Sequence, residues 1–458
     1  EKKLLFHQFL ERAANEHPAS VALKMLDDEM TYREFDERAN QVAHCLISKG
    51  VQVGDCIGVL FPRGFDQLVA VFGILKAGAT YVPLDIAYPD ERIKAIVEAC
   101  NMRYCLSYSL LFEISIPMSS LDWDSLRKDR PKTVGVTLNN VVYILFTSGS
   151  TGKPKGVQIE HKSIANLEFF CQKHCPDNLS RVLTTARLSW DVSVVTMLVS
   201  ISKARTLCVI PPNLSHDLPK HLNHVCEAMQ VEVLIGVPSL LAFLDLSSKC
   251  FKTFLLMGDV LPPQLLGPWM KQGVSIVNAY GPTETNVVTS CSITGSMCTR
   301  GGSLSIGEPF ENVQLYILDE YLRLVPKGVP GELVVGGCML ARGYLNMPRV
   351  NDAFIQSPFD KFERLYRTGD IVKLRENGEL AFMGRRGGYV KIRGYRVDLA
   401  EVSHVVEEHP DVVHCVTVVH KERLYSFVSV RNGNTLNVDD LRSICKSKLT
   451  DYMIPCKF

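Results

Sequence analysis

The stretch YILFTSGSTGKPKGV, residues Tyr143–Val157, sets four small hydroxyl residues, three glycines and two lysines directly behind an apolar run. Val141 to Phe146 is apolar, β-branched and aromatic-rich, which predicts a short interior strand. The loop behind it has no apolar face to bury. It offers backbone N–H groups, hydroxyls and ammonium groups instead, the donors an anion needs. An ordinary Gly/Ser surface loop is the plain alternative; the density of donors favours a phosphate loop. Only two residues separate Gly149 from Gly152, so the G-x-x-x-x-G-K-[ST] mononucleotide loop is excluded. The loop belongs to some other nucleotide-using class.

Outward from this loop, the composition is that of a soluble globular enzyme. The 458 residues are 46% hydrophobic and 22% charged with a formal charge of +1, enough chain for more than one domain. So even a balance gives no support for nucleic acid or a membrane surface as the main partner. The 15 cysteines stand singly, without CxxC pairs or zinc-like spacing, and read as reduced thiols. The opening EKKLLFHQFLERAANEHP reads as an amphipathic helix and not as a signal peptide, and no apolar run reaches membrane-spanning length. A cytoplasmic setting is the expectation.

Strand-like and helix-like runs alternate through most of the chain, as in CIGVLF before GFDQLVAVFGILKAG, and TLCVIPP before LPKHLNHVCEAMQ. This predicts a layered α/β fold. From about residue 303 the texture changes to short alternating strands (NVQLYILD, GELVVGG, GELAFMG), which predicts a β-rich subdomain packed beside the α/β layers. The glycines and charges of GRRGGYVKIRGYRV, residues 384–397, fit an exposed hinge. Beyond it, a helix followed by two strands predicts a small α+β lobe. The expected division is a large lobe over 1–385 and a small mobile lobe over 386–458, closing on a substrate.

With these stretches in view, the chain resembles an adenylation domain of a nonribosomal peptide synthetase, in the acyl-adenylate-forming, AMP-binding superfamily. The stretches that carry the resemblance are, in order, MTYREFDERAN, LKAGATYVPLDIAYPDER, LFTSGSTGKPKGV, NAYGPTETN, GELVVGG, YRTGD and VKIRGYRVDLAEV, from about residue 30 to the C-terminus. YRTGD alone would be a weak signal; the set in this order is a strong one. The resemblance implies a ligase that joins an amino-acid carboxylate to ATP, with Mg²⁺, giving an aminoacyl adenylate and pyrophosphate. The acyl group would then pass to the phosphopantetheine thiol of a peptidyl carrier domain in the same synthetase, beside a condensation domain.

Attack on the α-phosphate needs positioning and charge neutralisation more than covalent help. By resemblance, Thr147, Ser148, Gly149, Ser150, Thr151, Gly152 and Lys153 hold the β- and γ-phosphates. Glu284, beside Thr283, is the Mg²⁺ ligand, a carboxylate suiting that hard cation, on a site expected to be solvent-accessible. Tyr280 is expected to stack on the adenine and Asp370 to bind the ribose hydroxyls. Arg385 falls near the ribose and phosphates, with a hinge salt bridge as its alternative. Lys391 and Gly394 lie on a loop expected to enter the site when the small lobe turns from the adenylating to the thiolating pose. Gly387 stands where the family usually has a pivot aspartate. The family's catalytic lysine falls beyond YMIPCKF, so the chain as given is expected to be cut short, binding its ligands yet adenylating poorly.

Asp191 matches the family position that pairs with a substrate α-ammonium; a helix N-cap is its ordinary alternative. The remaining pocket positions, matched motif by motif, are Val192, Val195, Ile235, Leu255, Met257, Ala279, Val287 and Val288. None is charged or aromatic, which disfavours an ionic side chain. Two substrate readings follow: an aliphatic amino acid, or a long neutral modified one such as the acylated hydroxyornithine of a siderophore. The second is slightly favoured by the flexible Met257 and the small neighbours. A stand-alone acyl-CoA ligase is the enzymatic alternative, against which Asp191 argues. A degenerate, non-catalytic nucleotide-binding module is the other.

Overall fold

A computed structural model describes residues 3–132, 135–147, 154–215, 217–299, 304–349, 351–361, 363–386, 389–392, 394–430 and 436–458. Two sheets organise the first 385 residues. The smaller runs, edge to edge, through Gly343–Tyr344, Lys155–Glu160, Val141–Thr147, Thr80–Pro83, Cys56–Leu60, Tyr104–Ser107 and Ser115–Pro117. From Val141–Thr147 to Ser115–Pro117 its strands are parallel, and Cys56–Leu60 and Thr80–Pro83 are each followed by a helix, Phe65–Lys76 and Asp90–Ala99. The expected interior strand is present as Val141–Thr147, buried through Leu145.

The larger sheet begins with parallel strands, among them Arg181–Thr184, Val233–Gly236, Thr253–Met257 and Ser275–Tyr280. At Ser275–Tyr280 it turns antiparallel through Thr289–Ser292 and continues into Ser305–Pro309 and the strands up to Arg385. The β-rich section expected from about 303 is present, and from Thr289 onward it joins the same sheet edge to edge. The cause is the backbone pairing of Thr289 with Pro309 and Ser290 with Glu308, a long-range register that no local pattern encodes.

Between the sheets lies a helical layer of Phe6–Glu16, Tyr32–Ser48, Phe65–Lys76 and Val192–Ile201, all in one continuous core. Val192–Ile201 (VSVVTMLVSI) is apolar around its whole circumference, as a helix buried on all sides must be. Two of its hydroxyls satisfy themselves on the helix backbone, Thr196 Oγ1 donating to the Val192 carbonyl and Ser200 Oγ to that of Thr196, each at 2.9 Å, and Ser193 Oγ donates to the Trp190 carbonyl at 2.7 Å. Strand alternation sends Leu255, Met257 and Ala279 into this layer, and Phe254 and Leu256 into a second core around Trp269.

The C-terminal part has a core of its own, from Ile392 and Val397 to Leu441 and Met453. The expected helix and two strands are there as Leu399–Glu407, Val412–His420 and Arg423–Val430, with Asp398 capping the helix by accepting from the Ala400 amide at 2.9 Å. Residues 384–397 differ from the exposed hinge expected of them. Arg386 is exposed, but Tyr389–Ile392 and Tyr395–Asp398 pair as a hairpin in which Ile392, Gly394 and Val397 are buried. Apolar residues alternating along that stretch pull it down onto the protein.

Candidate active site

Two adjoining cavities open at the carboxyl ends of Thr253–Met257 and Ser275–Tyr280, the place where open α/β sheets hold ligands. The first, of about 110 Å³, is lined by Asp191, Val192, Val195, Met257 and Val287, and capped by Lys391 and Tyr395 from the hairpin. The second, of about 270 Å³, is lined by Gly258, Asn278, Ala279, Ile306 and Phe382. Tyr280, Asp370, Arg385 and Lys391 border both.

Asp191 occupies the N-terminal boundary of helix Val192–Ile201, yet its side chain makes no capping bond and its backbone is already helical. Its carboxylate faces the first cavity. Burial raises its pKa; the Thr283 hydrogen bond and the Lys391 charge oppose that, and the nearby Glu284 carboxylate adds to it. Glu284 is the larger correction. It is fully buried and does not border either cavity; its Oε1 accepts from the Tyr344 hydroxyl at 2.8 Å. Tyr344 in turn lies beneath the Lys155 ammonium, 5.5 Å from the ring centre. The turn Gly281–Thr285 folds this carboxylate inward, so it does not form the solvent-accessible site expected of it.

Tyr280 donates its hydroxyl to Asp370 Oδ2 at 2.5 Å, and burial raises its pKa further, keeping the phenol neutral. Asp370 is held from behind, its amide donating to Thr368 Oγ1 at 2.9 Å, with Arg385 Nε 3.5 Å from its Oδ1. Arg385 also donates to the Thr368 carbonyl at 3.0 Å. Lys391 is exposed to the cleft, but crowding by protein lowers its pKa, while Asp370, Asp259 and Asp191 pull it back up.

Thr147 borders the first cavity; Ser148, Gly149, Ser150, Thr151, Gly152, Lys153 and Gly387 lie outside the described residues. Among the pocket positions, Ala279 borders the second cavity instead of the first. Ile235, Leu255 and Val288 border neither and are wholly buried. Leu255 shares the correct sheet face with Met257 but sits one residue pair deeper, and Ile235 pairs beside it. Val288 follows Val287 and is turned into the core.

Aromatic residues missing from the motif-based pocket shape it: Trp190, Phe146, Tyr88, Tyr395 and Tyr452 all border the first cavity. The signal for Trp190 was its position directly before Asp191. Its ring packs on Gly258, whose φ of +89° and lack of a Cβ permit the contact; a Cβ there would lie 2.7 Å from the indole. The others come from distant segments that only the fold unites.

The sequence profile of the AMP-binding enzyme family matches residues 10–345, and the chain belongs to that family. Over its full length it is 38% identical to a linear gramicidin synthase of Brevibacillus parabrevis, and over 99% of its length 32% identical to gramicidin S synthase 1 of Brevibacillus brevis. It spans 6% and 42% of those two proteins. In structure it superposes with a TM-score of 0.89 on an artificially fused adenylation–PCP di-domain synthetase, NpsA-ThdA from Klebsiella oxytoca, covering all of this chain and 94% of that one at 24% identity, which fixes the fold. The expected AMP-binding family and adenylation-domain fold are therefore met. Among the described residues no helix is long and apolar enough to cross a membrane.

Proposed function

We propose that this chain activates an α-amino acid by AMP-forming chemistry, as one adenylation unit of a longer peptide synthetase. The observation that carries the reading is Asp191: a half-buried carboxylate that makes no N-cap bond and shares its chamber with the apolar Val192, Val195, Met257 and Val287. Such a group calls for a cationic ligand, and an α-ammonium supplies one. It argues against a CoA ligase acting on a simple carboxylic acid. The Tyr280–Asp370 pair suits adenosine in the second chamber, its ring face for the base and its carboxylate for the ribose hydroxyls. One carboxylate oxygen of the amino acid would attack the α-phosphorus where the chambers meet, forming an O–P bond as the bond to pyrophosphate breaks. Lys391 and Arg385 stand at that junction, where negative charge gathers.

Mg²⁺ fits this donor set as a nucleotide-borne ion. Among the described residues no cluster of three His, Cys, Asp or Glu could hold a metal alone. Glu284 lies close enough to Asp191 to disfavour its ionisation, a repulsion that a cation bound near either carboxylate would relieve. When bound, the metal would neutralise phosphate charge.

The first chamber, at about 110 Å³, suits a compact apolar side chain; an acylated hydroxyornithine would require it to open further. The lobe division at 385/386 and transfer to a carrier-borne phosphopantetheine thiol, with a condensation domain adjoining, belong to the same reading. ATP–pyrophosphate exchange by the chain extended past Phe458, across α-amino acids and their deaminated acids, tests it. We expect exchange with one or a few apolar amino acids and none with the deaminated acids; equal exchange with both would reject it.

A further inference from the structure

We propose that Arg92 and Glu401 are positioning residues that, together with the ring stack Trp190–Tyr395–Tyr452, pin the Lys391 hairpin in the cleft. The positional claim stands on geometry; its consequence for carrier loading rests on the function proposed above. Arg92 lies on helix Asp90–Ala99, Glu401 in the first turn of helix Leu399–Glu407 just behind the hairpin. Their side chains, 309 residues apart in sequence, meet at 3.3 Å with 3% and 2% of their surfaces exposed. The Arg92 guanidinium also sits 5.2 Å over the Tyr88 ring, at the rim of the first chamber.

A buried ion pair contributes little net stability, because desolvation offsets the attraction, yet breaking it leaves an uncompensated charge. Such a pair therefore selects one placement of its two elements. Beside it, Tyr395 stacks on Tyr452 at 4.1 Å and 12° and on Trp190 at 5.9 Å and 28°, binding the hairpin to the segment that carries Asp191. Gly394, at φ +83°, lets the hairpin approach; a Cβ there would lie 2.4 Å from Val237 Cγ1 and 3.0 Å from the Trp190 ring. The hairpin forms a two-stranded sheet of its own. Hairpins of that size are marginal alone, so its order depends both on Ile392 and Val397 in the C-terminal core and on docking in the cleft.

The test uses Arg92→Gln, Glu401→Gln and the double variant, with amide hydrogen exchange as the first readout. Each single change should speed exchange in Tyr389–Ile392 and Tyr395–Asp398 at least tenfold, while amides of the lobe core around Val405 and Leu441 keep their protection. The double variant, which leaves no unpaired charge, should exchange no faster than the more affected single. Hairpin exchange within twofold of the parent, equal loss in the lobe core, or single effects that multiply in the double would each overturn the proposal. As the second readout, thioester formation on a phosphopantetheine-bearing carrier should fall at least tenfold, with the KM for ATP in exchange within twofold. Unaltered thioester formation beside a loosened hairpin would overturn the link to catalysis. A parent without amino-acid-dependent exchange would defeat the functional reading, and hydrogen exchange alone would then decide the positional claim.

Discussion

Replacing Asp191 by asparagine should move binding and stability in opposite directions. In the empty protein the half-buried carboxylate lies near Glu284, and desolvation raises its pKa. A raised acid pKa means that folding favours the protonated form, so any stability linked to this group is fullest at low pH and is lost as pH rises through the folded value. Once ionised, the group is therefore a burden on the empty fold, and Asp191→Asn should not lower the unfolding midpoint. Binding of an α-ammonium should suffer. A hydrogen bond to a charged partner contributes about 1.5–3 kcal/mol, so affinity should fall roughly 10- to 150-fold. The assay is calorimetric titration with a non-hydrolysable aminoacyl-adenylate mimic and its deaminated counterpart. The amine-bearing mimic should lose that factor and the deaminated one almost nothing. Equal losses for both, or a lowered unfolding midpoint, would refute the reasoning and return Asp191 to a structural role.

Glu284→Gln keeps an acceptor for the Tyr344 hydroxyl, so the fold should survive; the Mg²⁺ concentration for half-maximal exchange should rise at least tenfold, and a midpoint within twofold of the parent would dismiss Glu284 as a ligand. Arg205 is buried and donates to the carbonyls of Leu179, Val199, Cys175 and Pro176 at 2.7–3.2 Å, so Arg205→Met should cost about 3–5 kcal/mol in denaturant unfolding; a loss under 1 kcal/mol would contradict that network. His7 and His161 pack edge to face, and burial lowers each to a pKa of about 3. Because the unfolded imidazoles take up protons first, stability linked to them is full above about pH 6.5 and declines as pH falls from there towards 3. His7→Leu should flatten that decline, and an unchanged pH slope would count against it.

The layered α/β pattern was legible in the chain because strands and helices announce themselves locally, as in CIGVLF and GFDQLVAVFGILKAG. The joining of the antiparallel strands to the main sheet was not, since it depends on Thr289 and Ser290 meeting Pro309 and Glu308. The same limit governs the site. Asp191, Tyr280 and Asp370 stand inside recognisable motifs, and they border the cleft. The depth of Leu255 against Met257 is a matter of one residue pair along a strand, which motif matching does not resolve. Glu284 reads as exposed in YGPTET because nothing local reveals the Tyr344 hydroxyl waiting behind it. Trp190, Tyr395 and Tyr452 line one chamber from three remote segments, and Arg92 finds Glu401 only after the C-terminal part has folded against the rest.

The central claim is that an amino-acid carboxylate oxygen attacks the α-phosphorus of ATP. It is tested most directly by offering the accepted amino acid with ¹⁸O in its carboxylate, trapping the product with hydroxylamine, and weighing the released nucleotide. Attack at the α-phosphorus leaves one labelled oxygen on AMP when the acyl carbon–oxygen bond is cut. Label in AMP, with pyrophosphate as the other product, is the result predicted; unlabelled AMP, or ADP with labelled phosphate, would contradict it.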